Sequence, residues 1–291
     1  MKARYAIVVL ALAFIVLSFA DITAFIDGSR QGIMLFGTAV LPVLFPFFFI
    51  SGLIIQSGIF NRKSSALSVF LVGVLSGYPT TAKMLGELYE RGDITRNQAI
   101  KISTYTSMPS PVFIIATVGT GLYVDTKLGV LMFVAILAGM LLNGFIYRKT
   151  NFQNEKVSVE ATISAETQPS VAEMVSTSLF SAIQGILAVG GMIVIFFIAV
   201  NQVDAVFSLG SVGQVLLAST LEMTNGVFLA TGMNPLIAVG ILAFGGLCVA
   251  LQGMIFFKSF KMPIWFYLLY KMTHTLLSVG IFLIMSMIVL P

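Results

Sequence analysis

Apolar stretches follow one another along almost the whole chain, and several are long enough to cross a bilayer. Residues 5–20, 32–60, 128–147, 175–200, 235–257 and 264–290 each approach or exceed the roughly 20 residues that carry a helix across about 30 Å of hydrocarbon. No other feature narrows the folding choices as far. Hydrocarbon offers backbone N–H and C=O groups no partner, so each run must pair them internally, as a helix. Composition agrees. Of 291 residues, 58% are hydrophobic and 10% are charged, against roughly 25% charged in soluble domains. That leaves too little polar surface for a soluble particle and argues against a nucleic-acid binder, a cytosolic enzyme or a disordered scaffold. The bilayer is the partner the sequence names. Residues 5–20 also fit a signal peptide, because Ser18-Phe19-Ala20 precedes Asp21 like a cleavage site. They serve equally as a first span.

Two runs are too short to cross. Residues 66–75 end in Ser76-Gly77-Tyr78-Pro79, and an amphipathic stretch follows over 80–91. Ten helical residues rise only about 15 Å, so a re-entrant hairpin is expected: in, around the tip, and out on the same side. Residues 212–221 repeat this, ending in Glu222-Met223-Thr224-Asn225-Gly226 before a second arm over 227–232. An interrupted span follows each hairpin. Thr95 and Gln98 have capping-box spacing and open a helix that meets Ser107-Met108-Pro109-Ser110-Pro111, where two prolines break it. It resumes over 112–122. The second interrupted span, 235–257, is broken near Gly245-Gly246 and carries Gln252. Pro42 and Pro46 predict a kink in the 32–60 span.

The order span, hairpin, broken span, plain span therefore occurs twice. Residues 1–31 read as a transmembrane helix and external loop, 32–149 as a first repeat, 150–174 as a polar cytoplasmic linker and 175–291 as a second repeat. With the N-terminus inside, Lys2, Arg4, Arg62, Lys63, Arg91, Arg96, Arg148, Lys149, Lys156, Lys258 and Lys261 all fall inside, and only Arg30 and Lys127 fall outside. Lys83, Lys101 and Lys271 lie in or near the membrane. The expectation is seven spans, N-terminus in and C-terminus out, with the two repeats inverted. The fold class is an all-α polytopic membrane protein of two inverted repeats, each with a re-entrant helical hairpin and a broken transmembrane helix.

Inverted repeats with discontinuous helices are the pattern of secondary transporters, where tips and breaks face one central site. The candidate site residues follow. Ser76, Gly77, Tyr78 and Pro79 form the first tip. Lys83, near that tip, offers a cation to a carboxylate solute or a helix-face pair with Glu87. Ser107, Pro109, Ser110 and Pro111 form the break, whose hydroxyls and freed carbonyls suit Na+ or bond back to their own helix. Glu222 is the sole carboxylate after Asp204, and an intramembrane acid is a functional candidate by default. Proton carrier, cation ligand, hydrogen-bond acceptor for a solute, and structural partner of Lys83 or Lys271 are all open to it. Thr224 and Asn225 add polar groups, and Gly226 allows a tight turn. Gln252 can read a polar ligand or bond another helix. His274 reads as a packing residue, and Ala135, Gly139 and Asn143 as a helix–helix seam. No cofactor motif and no metal site is read, and coupling would use Na+ or H+.

Leu41-Pro42-Val43-Leu44-Phe45-Pro46-Phe47-Phe48, Ser76-Gly77-Tyr78-Pro79-Thr80-Thr81-Ala82-Lys83 and the 95–111 stretch resemble the YlbJ-type sporulation membrane proteins with a nucleoside-recognition (Gate) domain. Glu222-Met223-Thr224-Asn225-Gly226 resembles the second Gate half. The resemblance implies a fold like that of concentrative nucleoside transporters and a role in moving dipicolinate into the developing spore. It places the chain in a bacterial membrane, the outer forespore membrane in a sporulating cell. The break here lacks the Asn/Asp-rich sequence such members carry, so the substrate stays open between a dipicolinate-like carboxylate and a nucleoside-like solute. The competing class is a non-transporting scaffold of a sporulation complex. An intramembrane enzyme is disfavoured, because GxGD, HExxH and a GxSG with a well-placed histidine are absent. A homo-oligomer is compatible with the pattern.

Overall fold

The computed structural model describes residues 2–58, 65–152 and 169–289, and all regular structure among them is helical. Helix α1 (Lys2–Ala20) stops at Asp21, whose carboxylate accepts the Ala24 N–H at 2.9 Å and starts α2 (Ile22–Leu35). A π-helical turn (Phe36–Val40) carries α2 directly into α3 (Leu41–Gln56). Helix therefore begins at Ile22, not residue 32, and the expected external loop over 21–31 shrinks to the cap. The acceptor side chain of Asp21 makes a full loop unnecessary. The π turn answers Pro42. A proline ring collides with the carbonyl four residues back and donates no hydrogen bond, so the chain widens to bonds five residues apart, with the Leu41 N–H on the Phe36 carbonyl.

The first hairpin is α4 (Ser65–Ser76) and α5 (Tyr78–Glu90), joined at Gly77. Gly77 sits at φ 88°, where a β-carbon is strained. The Thr95–Gln98 capping box forms as expected and opens α6 (Arg96–Ser103). Irregular backbone follows to Ser110, and the chain resumes as a π-helix (Val112–Leu122) before α7 (Thr126–Tyr147). The second half starts with α8 (Val171–Phe207), capped by Ser170 and Glu173. Its helix thus reaches into the 150–174 linker. The rest of that linker, 153–168, lies outside the described residues, as do Arg62, Lys63 and Lys156. The second hairpin is α9 (Ser211–Leu221) and α10 (Met223–Leu229), with Glu222 extended between them. Then come α11 (Pro235–Phe244), α12 (Gly246–Phe257) and α13 (Ile264–Val289), with Gly245 and Gly246 both at positive φ in the break.

Among the described residues five helices are long and apolar enough to cross a membrane: Ile22–Gln56, Thr126–Tyr147, Val171–Phe207, Pro235–Phe257 and Ile264–Val289. The chain is a multi-pass membrane protein. The interrupted 95–122 element is two short pieces, not one long span. Polar contacts separate two ends. At one, Arg91 donates to the Ile55 carbonyl (2.6 Å), Arg96 to the carbonyls of Phe260 and Lys261 (3.0 and 3.1 Å), and the Phe152 N–H to Asn97 (3.2 Å). This gathers Arg91, Arg96 and Lys261 at one end. At the other end Gln202 donates to the Asp21 carbonyl, Gln214 to Asp204, and Tyr123 to the Ala230 carbonyl. The first hairpin opens at the basic end and the second at the opposite end.

Helix packing uses small residues. Gly28 and Gly32, spaced as Gly-x-x-x-Gly on α2, press on the α8 backbone. A β-carbon on either would lie 2.8 Å from the Cα of Ile198 or Val194. Gly139 meets Ser278 across α7 and α13, and Asn143 donates to the Thr104 carbonyl while accepting from Thr273. That is the helix seam expected of these positions. Gly32→Leu should push α2 off α8 and cost about 1–3 kcal/mol. The test is the melting temperature of detergent-purified protein, with Gly37→Ala as a neutral control, because a β-carbon there has no neighbour within 4 Å.

Candidate functional site

The break after α6 frees carbonyls that have no helical donor. The Ser107 carbonyl would accept from residue 111, but Pro111 has no N–H. Each of three freed groups is met by a side chain from a different helix. Asn143 of α7 bonds the Thr104 carbonyl (2.9 Å), Thr81 of α5 bonds that of Thr106 (3.1 Å), and Lys271 of α13 bonds that of Ser107 (3.2 Å). The second break repeats the arrangement. Gly246 ends the bonding of α11, and the hydroxyl of Tyr78 takes the Leu242 carbonyl at 2.8 Å.

These bonds bring the tips and breaks together. Gly77 packs on the first break so closely that a β-carbon would sit 2.9 Å from the Ser110 nitrogen. Tyr78 crosses to the second half, where its hydroxyl also lies 3.3 Å from the Met223 sulfur, on the second tip. Gly246 backs onto Leu221 and Met223, so the second tip rests on the second break.

Between them lies a cavity of about 210 Å³. Its apolar wall comes from Leu35, Ala39, Val40, Val43 and Leu44 at the π turn, and from Val189 and Ile193 of α8. Its polar groups are Ser76, Ser110, Thr117, Glu222, Thr224 and Gln252. Glu222 is 3% exposed and caps α10, accepting the Asn225 N–H at 2.8 Å, with Thr224 alongside. The Ser110 hydroxyl accepts the Phe113 N–H (3.2 Å) and the Ser76 hydroxyl donates to the Val72 carbonyl (2.7 Å). Gln252 bonds Cys248, leaving its amide oxygen to other partners.

Of the candidate residues, Ser76, Gly77, Tyr78, Pro79, Pro109, Ser110, Glu222, Thr224 and Gln252 line this cavity. Lys83 does not. One turn beyond the tip, it points away and pairs with Glu87 at 2.5 Å, beside the Phe48 ring; Glu87 also accepts from Ser181. Neither Glu222 nor Lys271 has an ion-pair partner among the described residues, which removes the structural pairing weighed for Glu222. Ser107 faces a separate void of about 10 Å³, and Pro111 precedes the resumed π-helix. Asn225 serves the cavity only through its backbone. Gly226 makes no turn: it is helical, and its role is contact, since a β-carbon would lie 2.6 Å from the Ser219 Cα. The turn is Glu222 itself, at φ −139°. His274 meets the Ile136 carbonyl as a packing residue. The sequence reading missed Thr117 and the π-turn wall, which bear no local mark, and left Lys271 outside the site although its charge deep in an apolar helix was visible.

The chain is 25% identical, over 253 residues covering 73% of it, to the sporulation integral membrane protein YlbJ of Bacillus subtilis (strain 168). It spans 62% of that relative's length. The similarity supports a YlbJ-like family, in line with the resemblance of the tip and break segments. No family model and no solved structure matches the chain.

Tyr78→Phe strands the buried Leu242 carbonyl and should lower stability by about 1–3 kcal/mol. Denaturant or thermal unfolding in detergent reads the loss, and Tyr123→Phe, whose 3.3 Å bond is half-exposed, should cost less.

Proposed function

We propose that the protein is a secondary transporter that moves a small polar or anionic solute across a bacterial membrane by alternating access. The observation that carries this reading is a cavity lined by both tips, by Pro109 and Ser110 of the first break and by Val249 and Gln252 beyond the second, with hairpins that open toward opposite ends. Each tip then closes the path to its own side, and lifting one while the other stays seated exposes the site to one side at a time. The pairing of the two halves as inverted repeats belongs to this reading.

The lining suits a flat or compact solute. It offers an apolar wall, hydroxyls at Ser76, Ser110, Thr117 and Thr224, one amide and one carboxylate. A nucleoside-like solute would donate hydrogen bonds to Glu222. A dipicolinate-like anion would need that carboxylate neutralised, because two negative charges in a poorly solvated site repel. An H+ or Na+ taken up at Glu222 would then travel with the solute. The similarity to a sporulation integral membrane protein supports a setting in sporulation, and in this reading the membrane is the outer forespore membrane. No cofactor enters this mechanism.

The first test is thermal shift and uptake in proteoliposomes with dipicolinate, nucleosides and dicarboxylates. Glu222→Gln keeps an acceptor for the Asn225 N–H and should change stability by less than about 1 kcal/mol, while abolishing uptake or uncoupling it from the ion gradient. Ile193→Trp fills the cavity and should remove ligand-induced stabilisation. If both variants fold and support sporulation like the parent, the tips serve no solute, and the chain is a scaffold.

A further inference from the structure

We propose that the Lys271 ammonium is the resident cation of the first break, standing where a free sodium ion would otherwise be bound, so that this site works without sodium. Prolines at 109 and 111 free backbone carbonyls at membrane depth, the kind of oxygen cluster that attracts a cation. The structure shows which cation is there. Lys271 is 0% exposed, and its Nζ lies 3.2 Å from the Ser107 carbonyl and 4.8 Å from the centre of the Tyr78 ring. A carbonyl and an aromatic face both favour an ammonium, and no carboxylate among the described residues pairs with it.

Two neighbouring carbonyls are engaged as well: that of Thr104 accepts from Asn143, and that of Thr106 lies 3.1 Å from the Thr81 hydroxyl, which also reaches the Tyr78 carbonyl at 2.9 Å. What space there is amounts to about 10 Å³ beside Ser107, lined by Tyr78, Thr81, Ser103, Thr106 and Tyr267. That is room for about one water. A second cation there would face the ammonium across the Ser107 residue in a poorly screened interior.

The proposal names the break's own cation and does not depend on solute transport, so its test reads sodium binding rather than uptake. Full-length protein in detergent, carrying Glu222→Gln so that the cavity carboxylate takes no cation, is melted in sodium chloride and in choline chloride at equal ionic strength. With Lys271 in place it should melt within about 1 °C in the two salts, because a ligand stabilises only a state that binds it. Lys271→Ala vacates the position and should become sodium-responsive, its melting temperature rising by several degrees in sodium as binding offsets the lost contact. Lys271→Met removes the charge but leaves no room, and should not respond. A saturable sodium stabilisation of the Glu222→Gln protein with Lys271 in place would overturn the proposal, as would a folded Lys271→Ala on that background that melts alike in both salts. Should Lys271→Ala not fold, the Glu222→Gln protein with Lys271 in place, tested again by sodium-22 binding, decides alone: binding refutes the proposal and its absence upholds it.

Discussion

Every backbone carbonyl that a proline or glycine releases inside the bilayer must find a donor from the protein, and the architecture is organised around that demand. Water would satisfy such groups at the surface of a soluble protein. Here Asn143, Thr81, Lys271 and Tyr78 do so, from three helices far apart in sequence. Three of those donors converge on one seven-residue interruption. The break is thus the junction that fixes α5, α7 and α13 relative to one another, while Tyr78 fastens the first half to the second. An unpaired group at such depth costs several kcal/mol, more than a typical helix–helix contact contributes, so partner geometry rather than apolar packing sets the arrangement. Apolar side chains on the outer faces of α1, α2 and α8 are exposed in large number and meet lipid, which exerts little preference among helix pairings.

Against that background the small residues have a clear task. Gly28 and Gly32 let α2 reach the α8 backbone, Gly139 admits Ser278, and Gly226 folds the second hairpin against Ser219. Close approach raises dispersion contact where the hydrophobic effect contributes little. The cavity survives because the opposite is done at one place. The π turn at Phe36–Val40 widens the helix and presents Ala39 and Val40, short side chains, toward the tips.

Much of this was legible in the residues. Run lengths gave the hairpins, the prolines at 109 and 111 and the glycines at 245 and 246 gave the breaks, and the Thr95–Gln98 box gave a helix start to the residue. These are local signals, carried by chemistry within a few positions. The π turn was not legible, since Pro42 announces a distortion without saying whether the helix kinks or widens. Lys83 misled because proximity to a tip along the chain says nothing of direction around the helix. Glu222 was flagged for its charge, yet its service as a cap was hidden, because glutamate is not a preferred capping residue. Pairings such as Tyr78 with Leu242, or Lys271 with Ser107, span 164 residues each and leave no trace in a single sequence.

The double duty of Glu222 has a thermodynamic consequence. One carboxylate both walls the cavity and holds the first turn of α10, a helix of seven residues with little cooperativity of its own. Whatever draws that carboxylate away from the Asn225 N–H frays the helix, and whatever frays the helix releases the carboxylate. In the proposed transporter, binding at this carboxylate and the length of α10 would therefore be linked, equally in both directions. The end of α10 lies beside Tyr123, whose hydroxyl meets the Ala230 carbonyl at the far end of the molecule. The Asn225 N–H and the Ala230 carbonyl are thus the two ends of one two-turn helix, so a loss of the cap would be felt at the Tyr123 hydroxyl as a shorter helix.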